Sequence, residues 1–245
     1  MDGFTKTRPD APAGFFEVEA AGLAWLAVDG GVPVVRVLDV EPDRITVARV
    51  REVQPTREGA RRLGEQLAVT HDSGAPAFGA GPDGWAGDGY IGNAPLPLRP
   101  HPAWGEFYAA ERLLPYARRA DLGAGLGVIE TLGERLARGE FDDQAPPARI
   151  HGDLWAGNVL FSGMSATLID PAAHGGHRVT DLAMLALFGL PHLEDVYAGY
   201  EEASSALPGG WRDLVGLHQL HPLLVHAVLF GGGYGRRAVE VARRY

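Results

Sequence analysis

Arg149-Ile150-His151-Gly152-Asp153-Leu154-Trp155-Ala156-Gly157-Asn158-Val159-Leu160-Phe161, followed shortly by Thr167-Leu168-Ile169-Asp170-Pro171-Ala172, is the stretch that decides this chain's fold. Two short apolar runs, residues 159–161 and 167–169, flank a tight turn at Gly163 and predict a pair of strands. Polar loops stand before the first run and after the second. A strand–turn–strand of this kind carries Asn158 and Asp170 to the same end of one hairpin. Asp153, in the loop just upstream, is expected to converge on them.

The spacing suggests what three oxygen-bearing side chains could do together. Asp153-Leu154-x-x-x-Asn158 follows the kinase catalytic loop, where the Asp accepts the proton of an acceptor hydroxyl and the Asn reaches a magnesium ion. Asp170, at the end of a short strand, stands where that pattern places a second metal ligand. Phosphoryl transfer asks the protein mainly to position groups and neutralise charge, with hard oxygen ligands for Mg²⁺. His-Gly-Asp alone is common, and all three residues could be mere turn and cap residues. The same tripeptide with Asn at +5 and Asp-Pro at +17 from Asp153, and apolar strands between, is much rarer.

Upstream, Gly3-Phe4-Thr5-Lys6-Thr7 reads as a strand, and residues 15–27 as a helix with Phe16, Ala20, Leu23 and Leu26 or Ala27 on one face. A strand Lys held by a Glu of the following helix is the kinase arrangement for gripping the α- and β-phosphates. Lys6 and Glu19 fit it. Glu17 is the competitor for Lys6, two residues away and on another helix face. Residues 34–40 and 44–50 predict two strands joined by Glu41-Pro42-Asp43.

Beyond Thr56, a weak cap, Ala60, Leu63, Leu67 and Thr70 give a helix ending near Gly74. Residues 75–102 are dense in Gly and Pro, a long run that is functional or disordered, though Phe78, Trp85 and Tyr90 argue for packing. Helices are predicted over 104–119 and 126–138, and a linker over 142–147. Residues 180–245 read as three or four helices, broken near Gly189, Pro208 and Gly231.

Composition excludes other chemistries. The 245 residues contain no cysteine, which removes disulfides, thiol catalysis and Cys-ligated zinc. A formal net charge of −9 argues against nucleic acid or anionic lipid as partner. With no secretory h-region and no apolar stretch near the roughly 20 residues of a membrane span, a cytoplasmic monomer is expected. His174, His177, His218, His221 and His226 only partly share a face and read as core or capping residues rather than a zinc site.

The chain resembles the fructosamine kinases (ketosamine 3-kinases), a branch of the aminoglycoside-phosphotransferase group within the protein-kinase-like fold. The matching stretches include Phe16-Glu17-Val18-Glu19-Ala20-Ala21-Gly22-Leu23, His151 through Asn158, Ile169-Asp170-Pro171-Ala172, Asp181-Leu182-Ala183-Met184-Leu185 and His226-Ala227-Val228-Leu229-Phe230-Gly231. Trp155, after His-Gly-Asp-Leu, marks this branch. The resemblance implies an α+β, two-lobe fold: an N-terminally shortened small lobe over residues 1–53 and a mainly helical large lobe over 54–245. It implies ATP and Mg²⁺ as cofactors. Asp153 would be the catalytic carboxylate, with Asn158 and Asp170 holding the metal and Lys6 with Glu19 holding the phosphates. Arg49, Val50 and Arg51 would form the hinge whose backbone meets adenine. Trp155, with His151, would contact the substrate. The implied reaction phosphorylates the 3-hydroxyl of a ketosamine, a small molecule or a glycated protein, after which the product decomposes and frees the amine.

Two departures from that pattern carry expectations of their own. The family's Gly-containing loop over the phosphates, which precedes the Lys strand, has no counterpart before Met1, so weaker ATP binding is expected. Val179 stands where relatives carry Glu, which is expected to weaken the support of Asp181. The alternatives to a ketosamine kinase are an aminoglycoside- or choline-type kinase, and a catalytically impaired nucleotide-binding pseudokinase.

Overall fold

A computed structural model describes residues 2–245. The chain opens with β1 (Gly3–Thr7) and α1 (Phe15–Leu26), then β2 (Val37–Glu41) and β3 (Arg44–Ala48). The three strands form an antiparallel sheet in the order β1-β3-β2, with Lys6 opposite Ile45 and Phe4 opposite Val47. Phe16 and Leu23 of α1 pack with Val35, Ile45 and Val47, a small core of its own. Each such side chain contributes roughly 1.5–3 kcal/mol on full burial. This packing sets α1 across the sheet and turns Glu19 toward Lys6.

The small lobe is tied down at two places. Val35 N–H donates to Leu168 O at 2.9 Å and Leu168 N–H to Pro33 O at 2.8 Å. After β3, Val53 N–H donates to Phe161 O at 2.8 Å.

The large lobe begins with α2 (Arg57–Asp72), whose Thr56 hydroxyl accepts from Gly59 N–H at 3.0 Å as an N-cap. The Gly- and Pro-rich run that follows is ordered around a hairpin, β4 (Gly89–Ile91) and β5 (Ala94–Leu96). Gly92-Asn93 at its turn is a two-residue hairpin signal that the sequence carries. Tyr116 Oη donates to Pro95 O at 2.6 Å and Arg112 to Pro97 O at 2.9 Å, fastening the hairpin to the core.

The helix expected over 104–119 is instead α3 (Trp104–Phe107), a π-helical turn over Tyr108–Leu113, and α4 (Leu114–Ala117). Pro115 has no N–H and its ring crowds the carbonyl four residues back, so the chain widens ahead of it. α5 (Leu126–Ala137) follows, then β6 (Ala148–Ile150), β7 (Val159–Ser162), β8 (Ser165–Leu168) and β9 (His174–Gly176). β7 and β8 form the expected hairpin; β6 pairs antiparallel with β9, a pairing the sequence did not announce. The remainder is α6 (Val179–Leu187), α7 (Leu193–Ala203), α8 (Val215–His218), α9 (Leu220–Phe230) and α10 (Tyr234–Ala242). Two apolar cores fill this lobe, one beneath α2, α6 and α7, the other around α3 to α5, α9 and α10. Among the described residues no helix is long and apolar enough to cross a membrane.

Candidate active site

The site is assembled at the seam between the lobes. Leu154, fully buried, pins the loop after β6, and Gly152 turns it with φ 80°, where a Cβ would lie 2.3 Å from Ala172 O. Asp170 follows β8 with φ 54°, a left-handed conformation rare for a non-glycine residue and clustered at functional sites. It aims its carboxylate at Lys6: Lys6 Nζ donates to Asp170 Oδ1 at 2.8 Å and pairs with Glu19. Glu19 is therefore the partner of Lys6. Glu17 is not, and one of its carboxylate oxygens is buried without a partner.

Asn158 lies between the two aspartates. Its Nδ2 donates to Asp153 O at 2.8 Å and reaches Asp153 Oδ2 at 3.3 Å and Asp170 O at 3.4 Å. With the amide nitrogen engaged on that side, the side-chain oxygen remains the acceptor a hard cation could use. Asn158 oxygen and the Asp170 carboxylate fit Mg²⁺ as a pair that leaves room for phosphate and water. Among the described residues no cluster of three or more His, Cys, Asp or Glu could hold a metal by itself.

Burial pushes the Asp153 carboxyl up to about 7, against the Asn158 hydrogen bond and with help from the charges of Asp170 and Asp181. A carboxylate of that basicity is matched to accepting a proton near neutrality. Burial likewise raises Glu19, opposed by Lys6.

His151 does not line the cleft. It is buried beneath it, its Nε2 bonded to Ile169 O at 2.9 Å and its Nδ1 accepting from Asp153 N–H at 3.2 Å. This corrects the expected substrate contact: the ring joins the Asp153 loop to the strand that ends in Asp170. Below it, Asp181 is completely buried and accepts from His151 N–H at 2.7 Å and Gly152 N–H at 2.9 Å, with His71 Nε2 at 3.1 Å. Its carboxyl is lowered: burial pushes upward, but the His71 bond and charge, His151 and its backbone N–H together outweigh it. The expected weakening at Val179 is corrected too. Val179 is buried in the apolar core, and Asp181 takes its support from His71 and the loop backbone instead.

Two cavities meet at this seam. One, about 310 Å³, is lined by Phe4, Val35, Val47, Leu160, Ile169 and the backbone segment with Arg49, Val50 and Glu52. Arg51, expected in that segment's role, does not line it. The other, about 400 Å³, is lined by Asp153, Asn158 and Trp155 together with Phe15 and Tyr90. Lys6 and Asp170 line both. Sequence reasoning missed Phe15 and Tyr90, whose rings pack at 5.2 Å. Tyr90 stands two residues before the Gly92-Asn93 turn, which was the available signal.

A family model for fructosamine kinase matches residues 2–245. The chain belongs to the fructosamine kinase family. It is 35% identical over 237 residues to a Thermus thermophilus protein named a probable ketoamine kinase, covering 94% of this chain and 82% of that one. A crystal structure from Thermobifida fusca, described as that of a candidate fructosamine-3-kinase, superposes with a TM-score of 0.89 at 47% identity, over 98% of this chain and 84% of the other. The choline kinase of Streptococcus pneumoniae shares the fold, with a TM-score of 0.63 at 15% identity over 99% of this chain and 86% of that one. The fold is thus α+β and kinase-like, and membership in a fructosamine kinase family makes the chain an ATP-dependent kinase.

Proposed function

We propose that this kinase transfers the γ-phosphoryl group of ATP to the sugar 3-hydroxyl of a ketosamine, small or protein-borne, and so promotes release of the amine. One observation carries the reading: Lys6 and Asp170 form the shared wall between an apolar slot and an aromatic cavity that contains Asp153. The slot suits a flat base between Val35, Val47 and Leu160, beside the backbone after β3. Lys6, braced by Glu19, offers its ammonium to phosphate oxygens at the junction.

Mg²⁺, held by Asn158 and Asp170, would neutralise charge on the phosphates. Asp153 orients the acceptor hydroxyl and takes its proton as the O–P bond forms and the bond from the γ-phosphorus to the bridging oxygen breaks. ADP leaves with the electron pair. Trp155 and Tyr90 wall the sugar from either side, excluding water that would otherwise compete as acceptor.

A panel of fructosyl-lysine, ribulosyl-lysine, an aminoglycoside and choline, assayed by ADP release and by mass spectrometry of the acceptor, tests the proposal. Phosphorylation of the ketosamines at O3 supports it. Turnover of only the aminoglycoside or choline would overturn it.

A further inference from the structure

The aromatic wall of the acceptor cavity does not stop at Trp155. From that ring, 40% exposed, rings continue over the surface: Phe188 at 6.2 Å, edge-on, then His226 at 5.1 Å from Phe188. His226 is in turn flanked by Phe230 at 5.4 Å and Tyr234 at 5.0 Å. Phe188 stands just past α6, His226 and Phe230 on α9, and Tyr234 at the start of α10. Among the described residues the exposed Phe and Trp side chains are Phe4, Trp155, Phe188 and Phe230, and three of those four lie on this strip.

The strip is built, and it is joined to the site. A Cβ at Gly157 would come within 2.2 Å of the Trp155 ring, so the ring lies against the backbone there and is held in place. His226 Nδ1 donates to Pro222 O at 2.7 Å, which fixes its ring. The β4–β5 turn reaches the same place: a Cβ on Gly92, which lines the acceptor cavity, would meet Leu229 of α9 at 3.3 Å. The turn that lines the cavity therefore also lies against α9, and Trp155 is the ring common to cavity and strip. Single exposed apolar side chains are ordinary surface features. Five linked rings that begin in the cavity holding Asp153 are not.

We infer that this strip is the specificity surface for the substituent carried on the ketosamine's amine, and that it takes an extended apolar or aromatic group. The inference rests on the ketosamine reading above. With the sugar between Tyr90 and Trp155, the protonated secondary amine stands at the Trp155 ring, whose face attracts a cation. The substituent then runs over Phe188 toward Phe230. A ketosamine of methylamine is too short to pass Trp155; the phenyl ring of one of phenylbutylamine reaches past Phe188 toward Phe230.

The test compares these two fructosylated amines on the wild-type chain and on Phe188→Ala and Phe230→Ala, both at exposed positions. Each variant is expected to raise KM for fructosyl-phenylbutylamine by about 3- to 10-fold, the scale of one lost aromatic contact. KM for fructosyl-methylamine and kcat for both should stay within about twofold, and Phe188→Tyr should restore the wild-type KM. Equal losses on both substrates, or no change on the longer one, would overturn the inference while leaving the ketosamine reading intact. If the wild-type chain turns over neither compound, the ketosamine reading has failed and the strip's assignment falls with it.

Discussion

Asp153 and Asp181 flank the same loop, and the fold treats them in opposite ways. Asp181 is completely buried yet held below the ordinary carboxylate range, because His71 and two backbone N–H groups point at it. Asp153 is raised to about 7, because burial is offset only by the Asn158 amide and two other carboxylates repel its charge. The difference lies in the number of donors rather than in depth. A carboxylate saturated with donors is a structural anchor; one left undersupplied beside a cavity keeps its basicity for an incoming proton.

The strongest way to break this comparison is Asp153→Asn. It should lower kcat by about 10²–10⁴-fold while Tm stays level or rises, since a carboxylate that burial disfavours is gone. A coupled ADP assay beside a thermal melt reads both, and retained turnover would remove Asp153 from the mechanism. Asp181→Ala should instead strike stability first. Leaving His151 N–H, Gly152 N–H and His71 without an acceptor is expected to cost about 3–5 kcal/mol in denaturant unfolding, with activity lost through the misplaced loop.

Acidification sharpens the same contrast. His71, His151, His174, His218 and His221 are buried, and burial holds each below its ordinary pKa, His174 at about 3. Below about pH 6.5 the unfolded chain binds protons that the native state refuses, so stability falls with pH. Asp153 acts oppositely: its raised pKa lets the native state gain a proton through about 7, a partial offset. A net loss of stability is expected between pH 7.5 and 5.5, steeper in Asp153→Asn, by chemical denaturation at each pH. The smallest effect is expected from His71→Gln. Asp181 keeps its two backbone donors there, so about 1–2 kcal/mol should be lost with kcat nearly unchanged.

How much of this was legible depended on distance along the chain. Asn158 and Asp170 are linked by one hairpin, and Lys6 and Glu19 by one strand and the helix after it, so residue spacing carried both pairs. The β4–β5 hairpin was written in Gly92-Asn93, but strands of three residues are too short for periodicity to show. His71 and Asp181 lie 110 residues apart and carry no local mark of their meeting. Val179 was read as a lost charge, whereas the fold made it part of a core.

The residues alone determined the chemistry available: no thiols, and an Asp–Asn–Asp set on a strand pair whose geometry is local and dictated by period and turn. Only the tertiary structure decided which carboxylate would be basic and which anchored. It also decided that His151 would brace rather than bind, and that aromatic side chains from the end of α6, from α9 and from α10 would line up beyond Trp155. Those outcomes depend on burial and on donors brought from far along the chain, and solvation is a property of the packed molecule rather than of any stretch of sequence.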